Sequence, residues 1–162
     1  MNLNDNARAG AFCTTNPAVI VDASAKADLE ITVANMLYVI DGLHYTVASG
    51  DGDVPLDDTA NTIADGYSRL YLACVVADGT VSVVVGKALS NAALAAGEIS
   101  ADWPVPTANS CPFCGILVTN ATGSVFTAGT TTLDTTSIFA DIYDLWSIPA
   151  APLTGIATTQ QT

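Results

Sequence analysis

The chain has 162 residues, half of them hydrophobic, with 16 acidic against 4 basic side chains and a formal net charge of −12. That length fits one domain, able to bury roughly 70% of its unfolded surface without help from disulfides or metal. Phosphate backbones and anionic membranes are bound through clustered Lys and Arg. Here Arg8, Lys26, Arg69 and Lys87 stand singly, which excludes both as partners.

No apolar run approaches the ~18 residues of a membrane span. The longest, LYLACVVA and VSVVVG, have the length of strands. The opening MNLNDNARAG has one Arg and no apolar core, unlike a secretion signal. A soluble chain made in the cytoplasm is expected, its negative charge keeping an apolar-rich surface of Thr, Ser, Asn and Ala in solution.

In chain order, residues 1–17 read as an N-terminal arm without a core of its own. DLEITV predicts a strand with Leu29, Ile31 and Val33 inward. MLYVIDGLHYTVAS then reads as a tight hairpin. Leu37 and Val39 precede Asp41-Gly42, which supplies the positive φ of a type I′ turn, and Leu43, Tyr45 and Val47 follow. The acidic stretch SGDGDVPLDDTAN predicts a loop. RLYLACVVADGTVSVVVGK predicts a second hairpin about Asp78-Gly79, its Val-rich arms central in the core.

ALSNAALAAGEIS alone has helix propensity, for one or two turns capped by Ser90 or Asn91 and stopped at Gly97. Pro104 and Pro106 impose an extended connection after it. GILVTN and SVFTAG are expected to form a third hairpin through Asn120–Gly123. TSIFADIYDLWSIPA fits a short helix or a strand, and its Thr-rich approach favours the strand. Residues 149–162 read as a C-terminal arm. The expected architecture is a single all-β domain over residues 18–148, an antiparallel β-sandwich or barrel of about seven to nine strands with extended arms at both ends.

The one stretch with chemical character is SCPFCG. Three readings apply: a redox dithiol, half of a zinc site, or a proline-containing turn entering a strand with reduced thiols. A thioredoxin-like pair opens a helix within a βαβ unit, whereas Cys114 runs into Gly-Ile-Leu-Val-Thr. A zinc knuckle is the better rival, yet zinc needs four ligands and no second C-x-x-C exists. Cys111, Cys114 and Cys13 are the zinc candidates, with Cys13 reaching back from the N-terminal arm. Cys74 is expected in the core, and His44 facing solvent or a neighbouring strand. The turn with reduced thiols is preferred, with no cofactor, and a cytoplasmic origin argues against a disulfide.

Asp51, Asp53, Asp57 and Asp58 cluster, but Leu56 and Thr62 occupy positions where a calcium loop needs Gly and Glu; a solvated loop is preferred. Asp141 and Asp144 have no nucleophile or base paired with them, and His44 lies outside any nucleophile-elbow pattern. Asn120-Ala-Thr122 matches a glycosylation sequon and, without a secretion signal, reads as a turn. Phe12, Trp103 and Trp146 are the candidate interface residues, with a place as core anchors equally open for the two tryptophans. No active site is expected.

ANMLYVIDGLHYTV, ADGYSRLYLACVVADGTVSVVVGKAL and PFCGILVTNATGSVFTAGTTTLDTT together resemble small all-β virion structural proteins of tailed bacteriophages, over about residues 30–136. The shared features are a strand with Y-x-I-D-G-x-x-Y, a V-x-x-D-G-T-V hairpin and a late G-x-x-V-T-x-x-T-G-x-x-F-T-x-G-T-T-x-L-D segment. They are turn and strand residues, not a catalytic signature, and the CPFC segment departs from the pattern. The resemblance implies a non-enzymatic decoration or cement protein on the exterior of a phage head. It would bind the major capsid protein as a homotrimer, with residues 1–17 or 149–162 reaching onto neighbouring subunits. A tail, neck or fibre component is the alternative, and a small zinc or thiol protein using CPFC a more distant one.

Overall fold

The computed structural model describes residues 10–146, apart from residues 25, 57–61 and 122. The fold is all-β: two four-stranded antiparallel sheets face each other as a sandwich, with no closed barrel. The first sheet contains β1 (Phe12–Cys13), β2 (Val19–Val21), β3 (Leu29–Ile40) and β4 (Leu43–Val54); β3 pairs with the other three. The second contains β6 (Tyr67–Val76), β7 (Val81–Ser90), β8 (Ser110–Asn120) and β10 (Ile138–Asp144) in the order β10-β8-β6-β7. A two-stranded ladder joins β5 (Thr62–Ile63) to β9 (Phe126–Thr127). The helical turn α1 (Asn91–Ala95) follows β7, and no helix among the described residues is long and apolar enough to cross a membrane.

Both Asp-Gly hairpins form. Asp41 and Gly42 have φ of 51° and 80°, the pair of positive values that defines a type I′ turn, and Ile40 lies opposite Leu43. This register sets the apolar face. A two-residue turn sets odd residues of β3 against even residues of β4, so Met36, Tyr38 and Ile40 share the inner face with Leu43, Tyr45 and Val47. Leu37 and Val39 lie on the outer face with Thr46 and His44. The inward set of β3 changes from Leu29 and Ile31 to Met36 and Tyr38 across an irregularity between Ile31 and Asn35. At the second hairpin, Gly79 takes φ 87° and Asp78 accepts the Thr80 amide at 2.9 Å.

The expected third hairpin does not form. β8 already has β6 on one side and β10 on the other, so GILVTN has no edge left for SVFTAG. Buried Asn120 turns the chain away, its Nδ2 donating to Ile63 O at 2.9 Å and Ser124 O at 2.8 Å, and Phe126–Thr127 pairs with Thr62–Ile63 instead. The short helix is capped by Ser90, which accepts the Ala93 amide, and the chain leaves through Gly97 at φ 71°. The C-terminal segment resolves to the strand β10.

The core fills the space between the sheets with Met36 and Tyr38 from the first and Tyr71, Val75, Ile116 and Val118 from the second. Tyr38 Oη donates to Val76 O at 2.9 Å, fixing the sheets together at the hairpin end. Strands β6 and β8 are buried on both faces. The Pro-rich connection covers their outer side, placing Pro104 beside Gly86 and Trp103 on Gly115. Near-continuous apolar strands are what such double coverage requires. Of the expected arms, Phe12–Cys13 pairs with Val39 and Tyr38 of β3; residues 1–9 and 147–162 lie outside the described residues.

Candidate functional site

The CPFC segment is not a turn. Ser110–Asn120 is strand throughout, and the turn lies before it, where Asn109 takes φ 57°. Proline lacks the amide a central strand donates, so it is confined to bulges there. Pro112 sits at such a place: the β6–β8 register shifts between Ala73↔Cys114 and Cys74↔Pro112. The bulge has a second consequence. In a regular strand Cys111 and Cys114 would point to opposite faces, but here Cys111 lies opposite Val75 and Cys114 opposite Ala73, and both join the inner core.

All four cysteines are free and buried. Cys13, on β1 across from β8, donates through Sγ to Thr15 O at 3.0 Å and Leu37 O at 3.4 Å. Burial pushes its thiol pKa up, with Asp144 adding to the effect against opposing hydrogen bonds. Cys74 lies opposite Pro112, and burial raises its thiol to about 11. The Cys111 thiol is raised by burial and then by Cys13 and Cys74, and that of Cys114 by burial and then by Asp144. The thiolate is both the nucleophile and the metal ligand, and burial here favours the neutral thiol. Among the described residues no group of three or more His, Cys, Asp or Glu is placed to hold a metal ion. The structure places Cys13 and Cys111 in the same buried core cluster.

The other candidates are dispersed. His44 is exposed on β4 opposite Val39. Asp51 and Asp53 belong to the end of β4 rather than to a loop, while Asp57 and Asp58 lie outside the described residues. Asp141 stands opposite Leu117, its carboxyl pKa raised by burial. Asp144 lies at the inner end of β10, where its Oδ1 accepts the Val19 amide at 3.2 Å; burial raises its pKa and that hydrogen bond opposes the rise. Asn120 of the sequon is fully buried.

The three aromatic interface candidates divide. Trp103 is half-buried and acts as a lid on the second sheet: a Cβ at Gly115 would come within 2.5 Å of its ring. It meets Tyr143 edge-on, with ring centroids 5.6 Å apart. Phe12 is 41% exposed and Trp146 49%. Phe12 lies directly opposite Val39, two residues along β3 from Leu37, which is 45% exposed. Phe12 and Leu37 are thus two exposed apolar side chains on the outer face of the first sheet, next to a buried Val39.

No family model, curated protein or solved structure matches this chain.

Sequence reading missed three positioning residues: Asp144, Asn120 and Gly115. The adjacency of Gly115 to CPFC was visible, but its partner Trp103 comes from a connection whose path across the sheet has no local sequence signal.

Proposed function

We propose that this chain is a non-enzymatic structural protein of a tailed-phage virion, bound to the outside of the head as a decoration or cement protein. The observation that carries the reading is the hairpin around Asp41-Gly42. It holds the YVIDGLHY residues of the resemblance and presents Leu37 beside Phe12 on an outer sheet face. A sandwich with exposed apolar side chains at Phe12 and Leu37 on one face suits a protein that binds a shell repeatedly by fit and burial. The excess of acidic groups suits an exterior position, away from packaged DNA of the same sign.

The test is antibody labelling of intact particles made by the genome that encodes the chain. Regular labelling over the head supports the proposal. Labelling confined to the tail, neck or fibres transfers the chain to those structures, and particles free of the chain overturn a virion role.

A further inference from the structure

Strand β10 displays Phe139, Asp141 and Tyr143 on one face, because alternate residues of a strand share a side. That face is the outer one. Ala140 and Ile142 lie opposite Val118 and Ile116 and pack into the core, whereas Phe139, Asp141 and Tyr143 lie opposite Thr119, Leu117 and Gly115. Phe139 is 42% exposed, and Asp141 and Tyr143 are half-buried. At ~3.4 Å per residue, each aromatic residue stands about 7 Å along the strand from the carboxyl between them. Trp103 braces the Tyr143 ring by meeting it edge-on.

The Asp141 carboxyl is partly desolvated, and nothing among the described residues compensates it. Burial raises its pKa, and no hydrogen bond or ion pair of a described residue reaches it. The described cations are placed elsewhere. Lys26 pairs with Asp134 at 3.4 Å. Arg69 lies opposite Val118 of the core, on the inner face of the sheet. Lys87 belongs to β7, the far edge of the same sheet, three strands and about 14 Å away. A carboxylate drawn out of water is costly until a cation or a set of donors completes it.

We infer that Asp141, Phe139 and Tyr143 seat an arginine side chain of a partner protein. The carboxylate calls for a cation, and the flanking rings select among cations. A guanidinium is planar, meets a carboxylate through two parallel N–H donors and stacks on aromatic faces. An ammonium is more strongly hydrated and gives up its water less readily. A ring attracts a cation within about 6 Å of its centre, and an arginine bonded to Asp141 and leaning over either neighbour comes within that reach. A sugar would use the rings but leave the charge unopposed. With a net −12, the chain as a whole attracts a basic partner surface. The inference stands independently of the virion proposal.

The test is a nuclear magnetic resonance titration of the full chain with N-acetyl-arginine amide, followed through the amide signals of residues 139–143. Saturable shifts are expected, half-complete at about 1–10 mM, the strength of one side chain's contacts. Asp141→Asn, which keeps the shape and removes the charge, should weaken binding about tenfold. Phe139→Leu should weaken it about two- to fivefold. N-acetyl-lysine amide should bind severalfold more weakly than the arginine probe; this comparison uses wild type alone and needs no variant to fold.

No saturation by the arginine probe, undiminished binding to either variant, or equal binding of the lysine probe would each overturn the inference. A saturable response to methyl glucoside in place of arginine would do the same. So would arginine binding that appears only in Arg8→Ala, since the chain's own Arg8 would then fill the seat.

Discussion

Asp144 accepts the Val19 amide at 3.2 Å, tying the end of β10 in one sheet to β2 in the other. The link is made by a carboxyl whose pKa burial raises. A raised folded-state pKa means that folding favours the protonated form. The associated stability is present below the unfolded value, about 4, and is lost as pH rises through the folded value. Asp144→Asn keeps an oxygen acceptor for Val19 without the charge. The variant should melt above wild type at neutral pH, with the difference shrinking to nothing as pH falls below about 4. Thermal melts across pH check this, and a variant less stable than wild type at neutral pH would contradict it.

Gly115 leaves room for the Trp103 ring to come close against β8. Gly115→Ala should force the ring off the sheet and cost about 1–3 kcal/mol, the usual range for overpacking. Urea unfolding measures the cost, and a red shift of tryptophan emission reports the displaced ring. Trp103→Phe in the same chain should recover part of the loss, because the two sites share one contact. Additive losses in the double variant would show that the contact is absent.

Asn120 bonds carbonyls on two segments that leave the second sheet. Asn120→Ala should cost about 2 kcal/mol, since it removes both hydrogen bonds that the buried Nδ2 donates to Ile63 O and Ser124 O. Hydrogen exchange should show the loss first around the β5–β9 ladder. An equilibrium unfolding free energy unchanged from wild type would rule this role out.

The thiols make a separate test. With all four cysteines buried and their thiols raised by desolvation, dithionitrobenzoate should modify none of them in the native chain and all four in denaturant. Fast modification of Cys111 or Cys114 in the native state would revive a reactive dithiol.

What could be read from the sequence was local. Asp41-Gly42 and Asp78-Gly79 announce their turns because few other residues accept the positive φ found at Gly42 and Gly79. Ser90 and Gly97 bracket the helix for similar reasons. The features that escaped depend on partners distant in sequence. GILVTN and SVFTAG form a plausible hairpin until β6 and β10 occupy both sides of β8. The faces of Cys111 and Cys114 follow from a bulge whose place is set by register with β6. Leu37 and Val39 fall on the face opposite Tyr45, because the two-residue turn shifts the alternation by one residue. The interface candidates were legible as aromatics only; burial separates half-covered Trp103 from exposed Phe12 and Trp146.

The most direct test of the central claim is add-back. Particles are produced with the gene for this chain disrupted, and the purified chain is returned to them. The account predicts saturable binding to the head exterior, weakened by Phe12→Asp or Leu37→Asp, and heads that release DNA at a higher temperature once the chain is bound. Heads that neither bind the chain nor change in thermal resistance would contradict it.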